Sequence, residues 1–228
     1  MNRAHKLNRK IVTGVSGSGK TTLYAQLILA SGARWKFVYD PEGEFAGIAG
    51  IPVAYTVEDL ETQLSERGIV AFNPEKLFAD ADDELSEGLI FFCRWVFEIC
   101  ERLNGTKLLA VDEIQDCTPM GAEKFPRPVK RVADKGRRYS IDSIFCTNAP
   151  NELHPALRRQ VSEIITFLHV DPTPWDWLQK RGFESDEVKA LPEFHYIQRN
   201  MKTGVLTRSK TSDANRPRKA SSGKAARS

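Results

Sequence analysis

Apolar residues follow two rhythms along this chain. Short runs of apolar residues, mostly β-branched or aromatic, are bounded by turn residues, and between them lie longer stretches with apolar positions at helical spacing. KIVT at residues 10–13, KFVY at 36–39, GIVAF at 68–72, LLAV at 108–111, SIFCT at 143–147 and EIITFLHV at 163–170 read as buried strands. Helices are expected over 21–30, where Ser31-Gly32 stops the run, and over 57–67. A third is expected over 84–103, with Leu85, Leu89, Phe92, Cys93, Val96, Ile99, Cys100 and Leu103 on one face and Glu87, Arg94, Glu98 and Glu101 elsewhere on the wheel. Strands alternating with helices predict an α/β fold, a mostly parallel sheet covered on both faces. Beyond Val170 the rhythm breaks into a Pro/Trp-rich connector (DPTPWDW), a short helical piece over 183–190, and FHYIQR with GVLTR, a small hairpin turning at Thr203-Gly204. Trp175 and Trp177, beside prolines, read as packing anchors of the connector.

At 228 residues, this pattern predicts one large domain over 1–205, with a core of about 10–170 and an extension over 171–205. With 41% hydrophobic and 28% charged residues, the chain has material for one sizeable core, which excludes a wholly disordered or collagenous protein. The four cysteines form no CxxC or Cys/His cluster, so neither a disulfide scaffold nor a zinc site is expected, and a reducing cytoplasm fits. No apolar run is long enough for a signal peptide or a membrane span. The net charge of +3 hides an asymmetry: seven Lys/Arg against Asp213 give +6 over 206–228, leaving −3 for 1–205. A tail without aromatic or large aliphatic residues beyond its first turn cannot bury area to offset its ordering entropy, so 206–228 is expected to be disordered. It is either a non-specific arm for a polyanion or a solubilising tail.

The strongest chemical signal is GVSGSGKT at residues 14–21, which satisfies GxxxxGK[ST] between a strand and a helix. In such a P-loop the backbone N–H groups of Gly14, Val15, Ser16, Gly17, Ser18 and Gly19 curl around phosphate oxygens, with Thr22 close behind. Lys20 reaches the β and γ oxygens, and the Thr21 hydroxyl ligates Mg2+. LLAVDEIQD at 108–116 reads as the partner motif, with Asp112 holding Mg2+ and Glu113 orienting and deprotonating the attacking water. ATP and Mg2+ are thus the expected ligands. Asn148, at the end of the strand over 143–147, is the candidate sensor of the γ-phosphate, provided that strand lies between the other two.

Basic residues gather again at 124–138, where Lys124, Arg127, Lys130, Arg131, Lys135, Arg137 and Arg138 face one acid. We read this as a loop that touches double-stranded DNA through its phosphates. Arg158 and Arg159 are candidates for a finger into a neighbouring subunit's site, or surface residues, and the sequence does not choose between them. Asp40, Glu42 and Glu44 follow the second strand near the nucleotide, with a turn capped by Asp40 as the simpler reading. The four histidines are given no chemistry.

GVSGSGKT, DPEGEF, VDEIQD and GRRYSIDSIFCTNAPNELHPALRRQVSEIITF together resemble the HerA/FtsK superfamily of DNA-pumping ATPases, over residues 11–205. The compact length is most similar to the genome-packaging ATPases of tailless double-stranded DNA phages with an internal membrane. The resemblance implies a RecA-like P-loop NTPase fold, a homo-oligomeric ring, Mg2+-dependent ATP hydrolysis and non-specific translocation of duplex DNA. It implies packaging of a viral genome into a preformed capsid, capsid or membrane vertex partners, and a location in the host cytoplasm during assembly or at a virion vertex. By the same resemblance Lys20 and Thr21 serve the P-loop, Asp112 and Glu113 the acidic pair, and Asn148 the sensor position. Many relatives carry Gln where this chain has Asn148, a shorter amide that still donates. A cellular HerA-like translocase, a filamentous-phage assembly ATPase and a nucleotide-dependent binding switch are the alternatives. Length weighs against the first two and the Asp112-Glu113 pair against the third.

Overall fold

The computed structural model describes residues 8–118, 125–159 and 161–211. In chain order the elements are β1 (Arg9–Thr13), α1 (Lys20–Leu29), β2 (Trp35–Tyr39), α2 (Glu44–Ala49), α3 (Val57–Arg67), β3 (Ile69–Phe72), α4 (Glu84–Cys100), β4 (Lys107–Val111), α5 (Ile114–Cys117) and α6 (Arg127–Lys135). A 3-10 turn (Gly136–Tyr139) leads into β5 (Ile141–Thr147), followed by α7 (Pro155–Arg158), β6 (Glu163–Thr166), α8 (Pro172–Gln179), α9 (Ser185–Lys189), β7 (His195–Asn200) and β8 (Leu206–Lys210).

One sheet runs β3-β2-β4-β5-β1-β6-β7-β8. Pairing is parallel from β3 through β6, and β7 and β8 add antiparallel. Period-two alternation divides the strands' side chains between two cores. Ile11, Phe37, Tyr39, Phe72, Leu109, Val111, Phe145 and Ile164 face the layer that holds α3, α4 and α6 to α9. Val12, Val38, Ala71, Leu108, Ala110, Ile144, Cys146 and Ile165 face α1 and α2. Buried on both sides, the central strands need near-continuous apolar runs, which is what the chain supplies. The helices start where local chemistry allows it. Thr56 and Asp59 exchange side-chain and backbone hydrogen bonds in a capping box ahead of α3, and Asp83 accepts from Ser86 N at the start of α4. Cys93, Cys100, Cys117 and Cys146 are buried and free.

Three expectations are corrected. The basic segment is a helix rather than a loop: Val129 and Val132, one turn apart, pack it onto the core, and Phe125 stacks on His154 with centroids 4.2 Å apart. The connector after Val170 forms α8, since prolines in a first turn have no N–H bond to lose. Trp177 joins the core there, and Trp175 Nε1 donates to the His169 carbonyl. The basic tail does not begin at 206. β8 pairs with β7 through Lys210, held by backbone ladder bonds although most of its side chains face solvent, so composition alone understates its order. The rest of the tail, 212–228, lies outside the described residues, as does Lys124. Among the described residues no helix is long and apolar enough to cross a membrane.

Candidate nucleotide-binding site

The carboxyl ends of β4, β5 and β1 lie side by side, with Val111 opposite Phe145 and Thr13 opposite Thr147. β5 therefore separates the P-loop strand from the acidic strand, as the sensor assignment requires. Each strand's next residues enter the same edge: Gly14 from β1, Asp112 and Glu113 from β4, and Asn148 from β5.

The loop over 14–19 is seated on the residues that follow β6. Val15 N donates to the Leu168 carbonyl, and a Cβ on Gly14 would stand 2.6 Å from Phe167 Cβ, with φ at 153°. Only glycine allows this approach. Gly19, with φ at 103°, has the Phe194 ring 2.9 Å from where a Cβ would stand, while Gly17 faces open space. α1 begins at Lys20 with no side chain capping it, so its first N–H groups remain available to an anion. Lys20 is 5% exposed, and its Nζ donates to the Val15 carbonyl at 3.1 Å. A buried ammonium facing one neutral carbonyl is costly. Phosphate oxygens would offset that cost, so the donor set fits a polyphosphate. Ser18 Oγ is buried with no partner among the described residues, Thr22 is buried and Thr21 half-buried.

Asp112 is 6% exposed. Burial pushes its carboxyl up to about 6, a hydrogen bond from the Cys146 thiol opposes the rise, and the Glu113 charge adds to it. Among the described residues no group of three or more His, Cys, Asp or Glu is placed to hold a metal. Mg2+ commonly takes one or two protein oxygens and completes its shell with water and phosphate, and the half-buried Thr21 hydroxyl and the Asp112 carboxylate could supply such oxygens. Asp40, Glu42 and Glu44 form no metal-holding group among the described residues: the buried Asp40 carboxylate accepts from Phe45 N and Ala46 N at the start of α2.

Glu113 sits in the left-handed region, at φ 43° and ψ 46°. Asn148 Nδ2 lies 3.2 and 3.1 Å from its two carboxylate oxygens, and Gln115 Nε2 donates to Oε2 at 2.6 Å. The acidic pair and the sensor amide are thus brought together.

Arg158 and Arg159 lie elsewhere. The Arg159 carbonyl accepts from Nη1 of Arg9, the first residue of β1, and Arg158 ends α7. On α6 and the turn after it, Arg127, Lys130, Arg131, Lys135 and Arg138 are exposed, with Lys130 paired to Asp134 and Arg131 over the Phe97 ring. Sequence reasoning passed over three groups at the site. His169 Nε2 is 3.1 Å from Thr13 Oγ1, and burial together with the Lys20 charge pushes its imidazole down to about 4. Phe194 closes on Gly19 from the hairpin, and Gln115 holds Glu113. Only Gln115 carried a signal, its place two residues after Glu113.

No protein-family model matches this chain, and no curated protein matches it in sequence. Solved structures do. The genome packaging NTPase B204 from Sulfolobus turreted icosahedral virus 2, in complex with AMPPCP, matches with a TM-score of 0.67 at 16% identity over 90% of this chain and 98% of that one. VirB4 of Thermoanaerobacter pseudethanolicus matches at 0.63 and 12% identity, over 91% and 90%. The N-terminal domain of zonular occludens toxin from Neisseria meningitidis matches at 0.50 and 15%, over 91% and 95%. Sequence identities this low speak to architecture: the chain has the mixed, mostly parallel α/β fold of the P-loop NTPases.

Proposed function

We propose that this protein is a Mg2+-dependent ATPase that moves double-stranded DNA, working as a homo-oligomeric ring to package a viral genome into a preformed capsid. The observation that carries the reading is the convergence of the Gly14 to Thr22 loop, Asp112, Glu113 and Asn148 on one sheet edge, with β5 between β1 and β4. The fold shared with a viral genome packaging NTPase supports it, as does the HerA/FtsK resemblance of the motifs.

In this reading the loop's N–H groups, Lys20, Thr21 and Thr22 bind the phosphates. Thr21 and Asp112 hold Mg2+, which when bound neutralises phosphate charge. Glu113 accepts the proton of the attacking water at a carboxylate oxygen, and Asn148 turns its amide to the γ-phosphate. Arg158 or Arg159, distant from its own loop, serves a neighbouring subunit's site. The exposed cations of α6 and the residues of the tail meet DNA phosphates without reading sequence, as a machine that moves any sequence requires. Capsid or membrane vertex proteins are the partners, and the host cytoplasm during assembly, then a virion vertex, the location.

Steady-state ATP hydrolysis with Mg2+, measured across protein concentrations with and without linear duplex DNA, tests this. Turnover is expected to rise cooperatively with concentration, to be stimulated by duplex and to collapse in Glu113→Gln. Slow hydrolysis that ignores duplex and survives Glu113→Gln would overturn the motor and leave a nucleotide-gated binding switch.

A further inference from the structure

Glu113 begins its turn in a backbone conformation that residues with a Cβ seldom adopt. Two amides hold its carboxylate. A carboxylate only accepts, which dictates that Asn148 and Gln115 present their NH2 groups to Glu113. Their carbonyl oxygens, Asn148 Oδ1 and Gln115 Oε1, are left buried with no partner among the described residues. Asn148 Nδ2 stands 3.2 and 3.1 Å from the two Glu113 oxygens, one N–H shared between them. Gln115 divides its own, one N–H to Glu113 Oε2 at 2.6 Å and one to Asp116 Oδ2 at 2.8 Å. Asp116 is the next carboxylate along α5. Burial and then the Glu113 charge raise its carboxyl, and the Gln115 hydrogen bond opposes that rise.

We infer that Gln115 is a positioning residue for Glu113. It bridges two carboxylates that would otherwise repel, and it keeps the Glu113 carboxylate at the phosphate edge when Asn148 turns a donor away toward phosphate. Asn148 holds Glu113 through one N–H shared between the two oxygens, so turning that N–H to phosphate gives up both contacts at once. Gln115, two residues after Glu113 and beside Asp116 on the same short helix, has no phosphate to turn to. The inference rests on the reading of Glu113 as the proton acceptor.

The experiment uses the full chain and compares Gln115→Met, which removes the donor, with Gln115→Glu, which keeps the shape and adds a third acceptor. Both are measured for kcat and KM of ATP hydrolysis, for equilibrium affinity toward a non-hydrolysable ATP analogue, and for the thermal midpoint. A displaced general base costs roughly ten- to a hundredfold in kcat. A fall of that size is expected in both variants, with KM, analogue affinity and melting unchanged. Adding Asp116→Asn to Gln115→Met is expected to recover part of kcat by removing the like charge. An unchanged kcat in both variants overturns the inference, as does a fall in analogue affinity or melting in step with kcat in both, which would make Gln115 merely structural. Glu113→Gln run alongside separates the two failures. If hydrolysis survives it, the proton-acceptor reading fails, and if hydrolysis is lost while the Gln115 variants are normal, only the positioning role fails.

Discussion

Replacing Asp112 by asparagine should make the protein more stable while disabling the site. The carboxyl is 6% exposed, and burial is the largest reason it titrates at about 6 instead of 3.8. For an acid whose folded value is raised, the folded state holds more protons than the unfolded one between those two values, so stability falls as pH rises through that window. The penalty is absent below about 3.8 and complete above about 6, where it reaches about 3 kcal/mol. Asparagine keeps an acceptor for Glu113 N, 3.0 Å from the present Oδ1, and the opposing effect of the Cys146 thiol bond is already contained in the value of about 6. The gain at pH 7 is then about 3 kcal/mol, a rise of roughly 1 M in the urea midpoint. At pH 4.5 the wild-type penalty has shrunk to about 1 kcal/mol, so the variant's advantage should fall with it. Urea unfolding without Mg2+ or nucleotide at the two pH values is the assay. A variant less stable than wild type at pH 7, or an advantage that does not shrink at pH 4.5, would refute the reasoning.

Gly88 lies within α4 with Pro74 Cβ 2.4 Å and Tyr39 Oη 2.8 Å from where a Cβ would stand. Gly88→Ala should therefore lose more to overpacking, about 1–3 kcal/mol, than the roughly 1 kcal/mol it gains in helix propensity. A thermal midpoint a few degrees lower is expected, and a rise would show that Pro74 yields freely. On α6, Arg127 and Lys135 are exposed. If they meet phosphates, Arg127→Ala with Lys135→Ala should flatten the slope of log affinity for duplex against log salt by about 2. Fluorescence anisotropy across a salt series reads this, and an unchanged slope would place DNA on another surface.

The parts of this fold that were legible in the chain are those whose physics is local. Central strands buried on both faces must be apolar throughout, α4 must keep one apolar face, and the phosphate loop must be glycine-rich where Phe167 and Phe194 press against it. What stayed hidden depends on tertiary placement. The apolar face of α6 has only Val129 and Val132 among many cations, so charge masked the helix. β6 ends at Thr166, four residues before its apolar run does: Phe167 N still donates to the Thr13 carbonyl, and the Leu168 carbonyl then accepts from Val15 N in the loop. The hold of Gln115 on Glu113 sits at a left-handed turn at Glu113, which no residue-type pattern announces. The separation of Arg158 and Arg159 from their own loop likewise follows from α7 leading down to the start of β6.

The return of the β7–β8 hairpin to the 14–19 loop also ties two distant stretches of chain together. Thr211 Oγ1 lies 3.5 Å from the position of a Cβ on Gly19, and Thr211 N donates to the Phe194 carbonyl. With the Phe194 ring pressed on Gly19 as well, the loop cannot shift at Gly19 without moving both ends of the hairpin, so whatever alters the loop's conformation is felt at the far edge of the sheet.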